Sequence, residues 1–147
     1  MKALPAALAL ALSVALSSGL LAGPAAAQTS INRSEKATTG KATRLAIAPN
    51  LKKDCSAGPM PEIRVVATPK NGSLITRAGK LKTPASYRCP NVEAQVQGIF
   101  YQSNAKYTGA DEAVFDIKTS DGQVERFTIK ITVGAAATES GKSATEL

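Results

Sequence analysis

Histidine and tryptophan are both absent from this chain, and three Phe and three Tyr are its only aromatics. Without an imidazole, the commonest acid-base group of neutral-pH catalysis is missing, and Ser-His-Asp and Cys-His arrangements are excluded outright. A structural zinc site fails for the same reason, because zinc takes four N or S ligands and only two cysteines exist. There is no Gly-rich phosphate loop. Aromatics interleaved with cations, the platform on which bases stack, are also missing, and no nucleic-acid fold motif occurs, so a nucleic-acid partner is not expected.

Two patterns imitate catalysis. Ser103-Asn-Ala-Lys106 matches S-x-x-K, but that motif works where a helix turn brings the lysine onto the serine. Here it follows a strand, and Lys118-Thr-Ser120 stands where K-T-G would be required. Asp116 and Glu125 are the available carboxylate pair for a glycosidase, and both fall on strand faces with no evident cleft. The expectation is that the protein is not an enzyme.

What is present begins with an export signal. Lys2 precedes a largely apolar run from Ala3 to Ala22, and Ala25 and Ala27 make an A-x-A cleavage site before Gln28. The run approaches the ~20 residues that span a bilayer, but Pro5, three serines and the lack of a charged stop-transfer cluster favour cleavage over anchoring. Residues 1–27 are therefore expected to be removed, leaving no membrane span and a periplasmic or secreted product. In that oxidising setting Cys55 and Cys89, 34 positions apart, are expected to form a disulfide.

Charge is uneven along the remainder. From Gln28 to Pro90 twelve Lys and Arg face three acids, whereas from Asn91 to Leu147 five face eight. Lys52, Lys53, Arg64, Lys70, Arg77, Lys80, Lys82 and Arg88 are the candidate patch for a polyanion such as lipopolysaccharide or an acidic polysaccharide. The same residues also suit a solvated basic surface that keeps the protein in solution.

Residues 28–40 and 135–147 are polar and aperiodic and read as flexible segments around one domain at 41–134. Within it strands are predicted at 43–48 and at 62–68, with Ile63, Val65 and Ala67 on one face of the latter. Pro69-Lys-Asn-Gly72 is expected to turn sharply through positive φ angles. A short strand at 73–76 and a turn at Ala78-Gly79-Lys80 follow, leading into Leu81–Thr83. The longest strand is predicted at 92–101, with Val92, Ala94, Val96 and Phe100 on one face and Gln95, Gln97 and Tyr101 on the other.

No segment makes a convincing amphipathic helix, so an all-β sandwich of six or seven short strands is the expected fold. The last hairpin allows a sharper statement. A two-residue Asp121-Gly122 loop would set Ile117 beside Arg126, whereas a three-residue Ser120-Asp121-Gly122 loop sets Phe115 opposite Phe127 and Ala113 opposite Ile129. The second register is preferred, with Gly122 in the left-handed position of a G1 bulge.

The succession Val66-Ala-Thr-Pro69-Lys-Asn-Gly72-Ser-Leu, Tyr107-Thr-Gly-Ala-Asp111, Phe115-Asp-Ile-Lys-Thr-Ser-Asp121-Gly122 and the closing run from Phe127 to Val133 resembles bacterial immunoglobulin-like and cadherin-like domains. The resemblance covers about 62–133 and implies an immunoglobulin-like antiparallel β-sandwich of about seven short strands, to which the Cys55–Cys89 disulfide is an addition. It implies that Tyr107 is a corner tyrosine with its hydroxyl on backbone and that Asp111 caps the turn after Gly109. Cadherin-like relatives often bind calcium, and Asp111, Glu112, Asp116 and Asp121 are the candidate ligands. With no D-x-[DN]-x-[DN]-G loop, no cofactor is expected. The expected partner is a protein or an envelope polysaccharide.

Overall fold

The alternation resolves into seven strands in the computed structural model, which describes residues 28–136. They are β1 (Thr29–Thr38), β2 (Ala42–Pro49), β3 (Glu62–Ala67), β4 (Gly72–Lys82), β5 (Glu93–Ser103), β6 (Gly109–Lys118) and β7 (Val124–Gly134). The expectations for residues 1–27 and for 137–147 lie outside the described residues. The strands form a four-stranded sheet, β1-β7-β6-β3, and a three-stranded sheet, β2-β5-β4. Numbered by chain order, β3-β6-β7 over β2-β5-β4 is the C-F-G over B-E-D arrangement of an immunoglobulin sandwich, with the first strand moved beside the last. The fold is thus the immunoglobulin-like β-sandwich expected, except that β1 runs parallel to β7 rather than antiparallel.

The core lies between the sheets. Leu45, Ile99 and Tyr101 from one sheet meet Ala113, Phe115, Ile117, Phe127, Ile129, Ile131 and Val133 from the other. The β6–β7 hairpin takes the three-residue register: Phe115 pairs with Phe127 and Ala113 with Ile129. The Thr119 amide donates to the Gln123 carbonyl at 2.8 Å, and Gly122 adopts φ 78°. The two phenyl rings stack at 5.2 Å between centroids with 8° between their planes. Ser120, at the loop's start, is buried and its Oγ donates to the Pro59 carbonyl at 2.8 Å, tying the hairpin to the loop after β2.

Several local expectations are corrected. Residues 28–40 are not a flexible segment, because β1 pairs with β7 over its whole length. Only Ile31 and Ala37 of its core-facing set are apolar, so no alternation announces it. Arg33 occupies an intervening inward position by laying its guanidinium over the Phe127 ring, 5.5 Å from the centroid, and donating to the Leu45 carbonyl at 2.5 Å. The domain therefore begins near Thr29 rather than at 41.

β4 is continuous. Ala78-Gly79-Lys80 makes no turn, and all eleven residues pair with β5. In β5 itself the buried face changes: Ala94 and Val96 are buried on one side, then Ile99, Tyr101 and Ser103 on the other. Tyr101, expected outside, is fully buried, and Phe100, expected inside, is half-buried under Arg77 at 5.4 Å. Both faces of this strand are covered, one by the opposing sheet and one by a second cluster of Leu51, Cys89 and Ala94 with Tyr87 and Val92. On β3, Val65 and Ala67 are exposed, because the strand is an edge whose ladder slips between Val65 and Ala67.

The 69–72 connection crosses between sheets and contains no positive φ, so it is not a tight hairpin. Glycine stands at 72 for want of space: a Cβ there would lie 2.6 Å from both the Gln102 carbonyl oxygen and the Tyr101 ring. Gly72→Ala is expected to cost about 2–3 kcal/mol, because backbone or a packed aromatic must give way. Gly79→Ala meets only Val96 Cγ2, at 3.9 Å, and is expected to be neutral or stabilising by about 0.5 kcal/mol. Urea unfolding of the two variants checks the contrast, and equal midpoints would contradict it.

Candidate functional site

The sequence-nominated cations divide by place in the fold. Lys80 and Lys82 close β4, and Lys52, Lys53 and Arg88 lie in the two loops joined by the disulfide, at the same end of the sandwich. Arg77 is in mid-β4, Lys70 precedes that strand at the opposite end, and Arg64 belongs to the other sheet. The structure therefore brings together five of the eight. Arg88 is partly structural, since its guanidinium donates to the Leu51 and Lys52 carbonyls at 2.7 and 2.5 Å. Arg64 stands in register with Asp116. Lys80, Leu81 and Lys82, with Glu93, Ala94 and Gln95, line a shallow depression of about 440 Å³ beside the β4 edge.

The disulfide end is built around Cys55 and Cys89, bonded with Cα atoms 5.5 Å apart. Cys89 is fully buried in the second cluster. Thr83 fastens the loop beneath it: its hydroxyl accepts from the Val92 amide at 2.9 Å and donates to the Cys89 carbonyl. At the loop tip the Ser56 hydroxyl and amide donate to Asp54, holding its carboxyl below the usual range.

Three of the four acids nominated for calcium have other uses, and the Glu112 side chain is exposed. Asp111 does not cap the turn after Gly109. It is a clamp: Oδ1 accepts from the Lys70 and Glu112 amides, both at 2.9 Å, while Oδ2 accepts from the Asn71 amide at 3.0 Å and the Tyr101 hydroxyl at 2.9 Å. Burial pushes this carboxyl up, but the Tyr101 hydroxyl and the three amides outweigh it, and the net position is below the ordinary 3.8. Burial first, and then the Asp111 carboxylate, push the Tyr101 hydroxyl up. Tyr107 fits its expected part, half-buried against the core with its hydroxyl donating to the Ala110 carbonyl at 2.5 Å.

Asp116 is buried on the outward face beneath Arg126, which donates from Nε at 2.7 Å and from Nη2 at 2.9 Å. Those hydrogen bonds, helped by the charges of Arg126 and Arg64, overcome burial and lower its pKa. The same contact raises that of Arg126. Glu125 shares the face of Ile117, opposite to that of Asp116, so the two carboxylates do not converge. Asp121 is exposed and accepts from the Lys53 amide at 3.2 Å. Among the described residues no three metal-ligating side chains come together.

Ser103 is buried, its Oγ accepting from the Gly40 amide at 3.1 Å, while Lys106 is exposed in the following turn with φ 63°. The pattern S-x-x-K thus supplies a staple and a turn residue. An open groove of about 550 Å³ along Arg33, Arg44, Ile47 and Tyr87 has Glu35 as its single acid. No helix of the described residues is long and apolar enough to cross a membrane. Every buried side-chain N or O in the described residues has a hydrogen-bond partner. Compared with models of known protein families and with curated proteins, the chain matches none.

Proposed function

We propose that the protein is a small exported, non-catalytic immunoglobulin-like module of the bacterial immunoglobulin-like or cadherin-like kind, acting by binding at the cell envelope, in the periplasm or outside the cell. One observation carries this reading: the buried polar groups are consumed by the fold, whereas the cations of β4 and the disulfide end are exposed and, among the described residues, form no ion pair. Asp111, Asp116, Ser103, Ser120 and Thr83 each hold a loop or a neighbouring strand. Among the described residues the ion pairs are Lys118–Glu62 and Arg126–Asp116, neither of which uses a β4 or disulfide-end cation. A leader-like N-terminus and the disulfide support export, since such bonds persist in oxidising compartments.

Fractionation and intact mass test the first half of the reading. The expected product begins near Gln28, weighs two hydrogens less than its reduced form and co-sediments with isolated envelopes at low salt. An unprocessed cytosolic chain overturns it. The gathering of Lys52, Lys53, Lys80, Lys82 and Arg88 favours a second reading, adhesion to a polyanion. Retention on heparin or lipopolysaccharide is then expected to weaken at least ~10-fold between low and moderate salt, because released counterions drive such contacts. Retention indifferent to salt rules that out.

A further inference from the structure

We propose that the free edge of β4 is a strand-acceptor site, which takes an extended acidic segment of a partner protein as a fourth strand of the β2-β5-β4 sheet. The inference rests on the binding-module reading and names the partner's chemistry.

The four edges of the sandwich are not equivalent. β2 is bulged at Arg44–Ala46 and ends in Pro49, which has no amide to offer. β3 has six residues and slips between Val65 and Ala67. Both devices blunt an edge against pairing. β1 is longer, but it lies over β2, and Arg33 bridges that gap to the Leu45 carbonyl. β4 has none of these protections. It runs eleven residues in unbroken register with β5, and no other strand packs against it to any extent.

Side-chain chemistry selects the occupant. β4 carries Arg77, Lys80 and Lys82 and no acid. Two β4 edges brought together would repel, which disfavours a second copy of this chain and matches the use of lysine as an edge guard. An incoming strand with carboxylates opposite those cations gains attraction where self-pairing loses it. Lys80 and Lys82 share one face, Arg77, Ile75 and Leu81 the other, so an acid at alternate positions meets the two lysines. Glu93 stands opposite Lys82 on the β5 side, yet forms no ion pair with it. Half-buried Ile75 and Leu81, on the other face, supply apolar contacts for the intervening side chains. Main-chain hydrogen bonds would give the affinity and these side chains the specificity, as in other strand additions.

The test uses the folded, disulfide-bonded protein and a synthetic eleven-residue peptide in which glutamate alternates with valine. Binding is expected to slow amide exchange within Gly72–Lys82 and leave β1 unchanged. N-methylation of alternate peptide amides, which removes donors but keeps charge, is expected to weaken binding at least ~10-fold, and K80E/K82E to do the same. These exposed lysines are not needed for folding, and an unchanged unfolding midpoint verifies that. Equal binding of the N-methylated peptide, or protection outside β4, overturns the proposal. Heparin binding without peptide binding assigns the cations to a polyanion and overturns it as well. If K80E/K82E still co-sediments with envelopes as well as the parent does, the binding-module reading survives and the β4 assignment falls.

Discussion

Replacing Cys55 and Cys89 together with alanine lowers stability by about 4 kcal/mol and brings the urea midpoint down by about 3 M. The bond closes a loop spanning 34 positions, and releasing it returns to the unfolded chain the entropy that closure removed. A packing loss adds to this. Cys89 is fully buried with Leu51 and Ala94, and the cluster is small enough that one lost sulfur leaves it open on one side. The Arg88 hydrogen bonds to Leu51 and Lys52 span the same two loops, but one is only part-buried and the other is exposed, where water can replace it, so they cannot substitute. The stacked Phe115–Phe127 pair lies in the other cluster and does not depend on the bond. Amide exchange in the variant is therefore expected to rise first at 50–58 and 83–92, and last in β6 and β7. A double variant unfolding within about 0.5 M urea of the parent would show that the two clusters are held by packing alone.

The sequence was most legible where local pattern and pairing point the same way. In the β6–β7 hairpin, Phe115, Ile117, Phe127 and Ile129 share one face and Gly122 terminates the loop, so only one register keeps every apolar side chain inside. The disulfide was legible by elimination, from two cysteines behind an expected export signal and without a metal-binding set. Edges were the blind spots. β1 acquires its order from β7, through backbone pairing and an arginine guanidinium over the Phe127 ring, and neither leaves a period-2 trace. β4 is half-solvated and carries Gly79, so its interior resembles a turn. β5 defeats a single-phase reading because its two halves are covered on opposite faces, with apolar Ile99 and Phe100 adjacent at the change. The cations could be enumerated but not grouped, since grouping depends on which loops the disulfide joins. The role of Asp111 was invisible for a related reason: its partners Lys70 and Asn71 lie 41 and 40 positions away, beyond any local motif.

That clamp gives the second large effect. Asp111→Ala is expected to cost about 3–5 kcal/mol, because the two amides of Lys70 and Asn71 and the buried Tyr101 hydroxyl lose their common acceptor at once. Asp111→Asn keeps the shape and one acceptor oxygen, but turns an amide N–H₂ toward donors, so roughly half of that loss is expected. On a Tyr101→Phe background the alanine substitution costs less by about 1–2 kcal/mol, the coupling between hydroxyl and carboxylate. Acid should expose the same interaction. The folded carboxyl sits below its unfolded value, so its contribution is complete above the unfolded pKa and drains away as pH falls through the folded one. Asp116 and Asp54 are also lowered, so the parent's slope is shared, and the Asp111→Asn protein retains the part that belongs to those two. Urea midpoints from pH 7 down to pH 2 should therefore converge for parent and Asp111→Asn, as protonation takes from the parent the carboxylate that the variant already lacks. Curves that stay parallel across that range would remove Asp111 from the acid response. Because Asn71 leads directly into β4, the loss should also register there: exchange at the first residues of that strand is expected to quicken in Asp111→Ala, while its lysine-bearing end, anchored near the disulfide, stays protected.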